Sequence, residues 1–100
     1  MKWIETIELR SASLSNIKNT INTESLLEGI SDERRPYKVV VMEHVSIVTD
    51  ICFHLLFETE EILLHGSEPG LRLVAQLKEK GLVNHKIWME TSTVHIDFED

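Results

Sequence analysis

Hydrophobic and polar positions alternate at the start of the chain. In KWIETIELR, residues 2–10, Trp3, Glu5, Ile7 and Leu9 fall on one side, and Ile4, Thr6, Glu8 and Arg10 on the other. A period of two predicts a strand with one greasier face. The period lengthens in SASLSNIKNTINTESLLEGIS, where Leu14, Ile17 and Ile21 stand three and four apart. This predicts a helix capped by Ser13, its stripe carried on by Leu26, Leu27 and Ile30 past a weak break near Thr23. SDERRP is a polar turn ending in a proline that cannot continue a helix. YKVVVMEH is short and β-branched, a second strand, and VSIV either prolongs it or leads onward. Alternation returns in VTDICFHLLFE, residues 48–58. One row holds Thr49, Ile51, Phe53, Leu55 and Phe57; the other holds Asp50, Cys52, His54, Leu56 and Glu58.

HGSEPGLRLVAQLKEKGL predicts the second helix. Ser67 caps it, Pro69 sits in its first turn, and Leu71, Val74 and Leu77 form its stripe. Lys78 and Lys80 suit the dipole of the last turn. Gly81 suits a left-handed helix end, from which Leu82 folds back on Leu77 or Val74. VNHKIWMET is a further strand, and TVHIDF alternates again near the end. The order is strand, helix, strand, strand, helix, strand, plus a C-terminal extension. That order predicts an α+β, ferredoxin-like βαββαβ domain over residues 1–100, with two helices on one face of an antiparallel sheet.

The formal net charge of -7 changes the list of partners, because an acidic chain repels phosphate backbones. No nucleic acid and no membrane is expected, since the one basic run, ERR at 33–35, includes an acid and follows another, Asp32. MKWIETIELR has no apolar signal core, no run approaches membrane-spanning length, and a single cysteine forms no internal disulfide. These features predict a cytoplasmic location.

The segments TDICFHLLFE and GLRLVAQLKEKGLVNHKIWMET resemble small uncharacterised proteins of the dimeric α/β-barrel superfamily, and the similarity extends to Thr91. That superfamily includes antibiotic-biosynthesis monooxygenases, haem-degrading monooxygenases and stress-responsive barrel proteins. The resemblance implies two ferredoxin-like subunits packed by their open sheet faces, a homodimer forming an α/β barrel with a cavity. The haem-degrading members use Asn, Trp and His from separate elements, including an Asn on the first strand. Here that strand offers Trp3, Thr6 and Glu8, while Asn84, His85 and Trp88 crowd onto one strand, so that catalytic set is not carried over.

If the helices cover the Ile51 row, then Asp50, Cys52 and His54 share the open face with Thr6, Glu8, Arg10, Lys86, Trp88 and Glu90. Asp50, Cys52, His54, Trp88 and Glu8 are therefore the candidate ligand-binding residues. Same-face strand neighbours stand about 6.6 Å apart, and residues four apart about 13 Å. Cys52 and His54 could thus supply two ligands to a metal but not three, and ordinary packing is the simpler reading. No metal and no cofactor is expected. Nor does a glycine-rich turn or predicted helix start adjoin Cys52, as an activated nucleophile would need. The five histidines are scattered. His85, beside Ile87 and Met89, reads as a hydrogen-bonded core imidazole. Trp88, on the less apolar face, calls for cover by a partner subunit or a flat ligand.

Three classes of function follow. The leading one is a homodimeric α/β-barrel protein with a candidate small-molecule pocket on the open sheet face. The second is a cofactor-independent monooxygenase acting on a small aromatic substrate, which rests on the resemblance alone. The third is a metal- or effector-sensing module using Cys52 and His54. No motif decides for or against an enzyme.

Overall fold

The computed structural model describes residues 1–11, 21–47 and 49–97. Its elements are β1 (Lys2–Ser11), α1 (Thr23–Leu27), a 3-10 turn (Asp32–Arg34), β2 (Lys38–Glu43), β3 (Asp50–Glu58), α2 (Glu68–Leu77) and β4 (Gly81–Met89). The four strands form one open antiparallel sheet in the order β2-β3-β1-β4, so β1 and β3 are central. Each crossover through a helix skips one place in the sheet, and the strand between runs the other way. Among the described residues the molecule is an α+β domain with a four-stranded sheet and two helices.

The registers put every odd-numbered strand residue on one face and every even-numbered one on the other. The odd face is the core. Trp3, Ile7, Leu9, Ile51, Phe53, Leu55 and Phe57 are buried there with Leu26 of α1 and Leu73, Val74 and Leu77 of α2. Trp3 stacks on Phe57 with centroids 4.2 Å apart, while its indole Nε1 donates to Thr59 Oγ1 at 2.8 Å. A buried indole thus keeps its one donor satisfied at the sheet's end.

α2 begins as expected, with the Ser67 hydroxyl accepting from Gly70 N at 3.0 Å. Its inward stripe is different. Leu71 is 49% exposed, whereas Leu73 is fully buried. Gly70, Leu73, Val74 and Leu77 make an i, i+3, i+4, i+7 face, which Leu71 falls outside. The helix end also differs. Gly81 is not left-handed; it opens β4 opposite Ser11, where a side chain would collide with the Arg10 carbonyl. Leu82 therefore does not fold back onto α2 but points to the open face, 76% exposed. The left-handed glycines are Gly29 and Gly66, in turns.

The predicted start of the first helix, with Ser13, Leu14 and Ile17, lies outside the described residues. The described helix α1 is short and has its own start at Thr23, where the expected stripe only weakened: Asn22 is extended and its Oδ1 accepts from Glu24 N at 2.9 Å. Arg72 of α2 binds its C-terminal end, donating to the Leu26 and Glu28 carbonyls at 3.1 and 2.7 Å. A cation on those orphan carbonyls satisfies them and suits the dipole. VSIV belongs to the β2–β3 connection, with Val48 itself outside the described residues. Residues 91–97 of the alternating tail carry no strand, and 98–100 are not described.

Candidate functional site

The even face holds all five sequence-derived candidates, in cross-strand rows fixed by the register. One row is Met42, Cys52, Glu8 and Asn84; the next is Val40, His54, Thr6 and Lys86; a third is Lys38, Leu56, Ile4 and Trp88. Asp50 stands opposite Arg10, whose Nε lies 3.5 Å from Asp50 Oδ2. The face brings Glu8, Cys52 and Asp50 together. With Arg10, Met42 and Asn84 they line an open groove of about 540 Å³. His54 and Trp88 lie outside it, and Trp88's partner Ile4 stands six residues from Arg10, about 20 Å along β1. The five do not make one site.

The groove's chemistry is mild. Burial pushes the Cys52 thiol up, and the neighbouring Glu8 carboxylate pushes it further the same way. An activated nucleophile needs the opposite shift. His44, at the groove's rim, uses its Nδ1 to accept from Ser46 N and Ile47 N, both at 3.1 Å, and so closes the β2–β3 connection. Among the described residues no group of three or more His, Cys, Asp or Glu is placed to hold a metal ion. Asp50 Oδ1 is buried without a hydrogen-bond partner among them.

The more elaborate constellation is on the other face. Glu5 sits in the apolar column of β1 between Trp3 and Ile7 and is completely buried. Its Oε1 accepts from the Ser67 hydroxyl at 2.6 Å, its two oxygens share the Ser67 N–H at 3.2 and 3.3 Å, and its Oε2 meets His85 Nε2 at 2.6 Å. The carboxylate thus lies at the N-terminus of α2, where amide donors and the dipole favour negative charge. Two glycines make room. A Cβ on Gly70 would overlap the carboxylate, and one on Gly66 would stand 2.7 Å from both Glu5 Oε2 and His85 Cε1. The helix start expected only as a cap is also the cradle of a buried carboxyl group.

Serine, carboxylate and imidazole here are in the wrong order for nucleophilic catalysis, which needs the imidazole between the other two. The Ser67 hydroxyl is 1% exposed and spent on Gly70 and Glu5. A second groove, about 250 Å³, touches Ser67 but neither Glu5 nor His85. The cluster ties β1, β4 and α2 together. His85 is hydrogen-bonded as its place among apolar residues predicted, but it is half-buried at the edge strand rather than part of the core. Glu5 was missed as a special residue, and its signal was a lone acid in an otherwise apolar column.

Among the described residues no helix is long and apolar enough to cross a membrane. Comparison with known protein families, with curated proteins and with solved structures returns no match. The superfamily resemblance in the sequence is therefore unsupported by any of the three.

Proposed function

We propose that the protein is a homodimer in which two ferredoxin-like subunits face each other through their even-numbered sheet faces as a dimeric α/β barrel. A small molecule would bind in the groove beside Cys52, Glu8 and Asp50. The order β2-β3-β1-β4, with a helix in each of two crossovers, supports this reading because a split βαβ arrangement would have it.

The observation that carries it is the uncovered even face. Ile4, Val40, Met42, Leu56 and Trp88 lie on it with no layer over them among the described residues; Met42 and Trp88 are 40% and 57% exposed and the other three half-buried. A contiguous apolar surface of this kind marks an interaction site. A second copy fits it in charge as well. The strands place four cations there, Lys2, Arg10, Lys38 and Lys86, against three acids, Glu8, Asp50 and Glu58. The face is nearly balanced in a chain whose net charge is -7, so two copies can meet on it with little repulsion. The oxygenase alternative has only the resemblance behind it, and the raised Cys52 thiol weighs against the sensor.

Tryptophan fluorescence tests the interface. Trp3 is fixed in the core, so a change in emission on dilution reports Trp88. The emission should move to the red as the dimer dissociates and Trp88 meets water. Emission unchanged by dilution and already that of an exposed indole would leave the face uncovered and the proposal without its basis.

A further inference from the structure

Two features at the margins of the sheet lack a counterpart among the described residues. The first is the outer edge of β2, which pairs with β3 alone. Val39, Val40, Val41 and Met42 run without a charge or proline between them, and Val41 and Met42 are each 40% exposed. Edge strands usually carry a guard, such as a central lysine, a proline or a bulge, because open amides and carbonyls recruit another strand. The charges of this one, Lys38 and Glu43, stand only at its two ends and leave its middle unguarded. The second feature is the segment after β4. Thr93, Val94, His95, Ile96 and Asp97 alternate as a strand does, yet they form none, and Val94 and Ile96 are 82% and 74% exposed. One is an edge without a strand; the other is a strand pattern without a sheet.

Pairing the two within one chain would consume most of the tail. β2 and β4 are the outer strands, so a segment beyond β2 lies four spacings from β4, about 19 Å away. A chain leaving β4 at Glu90 needs about six extended residues for that crossing. Val94 and Ile96 would be used up in transit. The edge of a second copy is not tied to that four-spacing distance.

We propose that residues 93–97 of one copy add to the β2 edge of a second copy as an exchanged strand. The inference rests on the homodimer described above. Main-chain hydrogen bonds along β2 supply the attachment, as in other strand additions, and the alternating Val94 and Ile96 give it a face to bury. The exchange removes the exposed edge and the exposed tail at once, and it makes the tail part of the dimer's structure.

Paired single-cysteine chains test this. In a Cys52→Ser background, one chain carries Val41→Cys and the other Ile96→Cys. The two are mixed, equilibrated and treated with a short bis-maleimide that tolerates an uncertain register. A covalent heterodimer exceeding either homodimer product supports exchange, as does a rise of about tenfold or more in the dimer dissociation constant for Val94→Asp with Ile96→Asp. If the mixture sediments as a dimer but yields no 41–96 product, exchange is wrong while the homodimer stands. If the two cysteines link only when placed on one chain, the tail folds on its own sheet and exchange is again wrong. A monomer at every concentration overturns both.

Discussion

Glu5 and His85 meet across the first and last strands with Oε2 and Nε2 only 2.6 Å apart, and the carboxylate is entirely out of water. In sequence they are 80 residues apart. Ser67 completes the contact from the start of α2, so one carboxylate joins three elements. Burying a carboxyl group is costly unless its oxygens find hydrogen-bond partners, and here each oxygen has one. Replacing Glu5 by Ala strands the Ser67 amide and hydroxyl and the imidazole together. Urea unfolding should show a loss of about 2 to 4 kcal/mol. A loss under about 0.5 kcal/mol would mean that the cluster contributes nothing to the fold.

Gly70 and Gly29 separate crowding from backbone strain. Gly70 has an ordinary backbone, but its Cβ would enter the Glu5 carboxylate, so Gly70→Ala should cost about 2 kcal/mol or more. Gly29 has φ of 76° and open space around it, so Gly29→Ala should cost only about 1 kcal/mol, from the left-handed backbone. Thermal unfolding of both variants checks the order; equal losses would remove the case for a tight cradle.

The inward face of α2 is checked by two leucines. Leu73→Ala should lose about 2 to 5 kcal/mol by leaving a cavity against the sheet. Leu71→Ala should stay within about 0.5 kcal/mol, since Leu71 is half in water. The reverse ranking in chemical denaturation would restore the stripe expected from spacing.

That stripe illustrates what could be read in the chain and what could not. Alternation alone placed Trp3, Ile7, Leu9, Phe53 and Phe57 inward and put Glu8, Cys52, His54 and Trp88 on the opposite face, because a period of two is unambiguous. Leu71 and Leu73 both fit a helical period with Val74 and Leu77. The packing of Gly70 against Glu5 decides between them, and that is a contact between distant residues. Gly81 was misplaced for a similar reason: β4 begins after a turn of only three residues from α2, and its first residue must lie against the Arg10 backbone. The five candidate residues were legible as a face but not as a site, since register, not spacing, sets which rows adjoin. Glu5 went unnoticed because its three partners come from residues 67 and 85.

Cys52 gives a prediction in pH. Its raised thiol favours the protonated form in the folded chain, first through burial and then through Glu8. The stabilisation is complete below the ordinary thiol value of 9.0 and is lost as pH rises through the higher folded one. Iodoacetamide should therefore label native Cys52 more slowly than the unfolded chain at mildly alkaline pH, and Glu8→Gln should speed the native reaction by removing a like charge. Native labelling faster than unfolded would contradict the assignment and reopen a reactive cysteine.

The mass of the intact protein in solution bears most directly on the open sheet face. Light scattering across the micromolar range should give wild-type protein twice the chain mass of 11.5 kDa. Leu56→Asp, which puts a carboxylate in the apolar row between Lys38 and Ile4, should shift that population towards monomer while leaving the odd-face core intact. A wild-type mass of 11.5 kDa at every concentration, matched by Leu56→Asp, would contradict a covered face and with it the barrel.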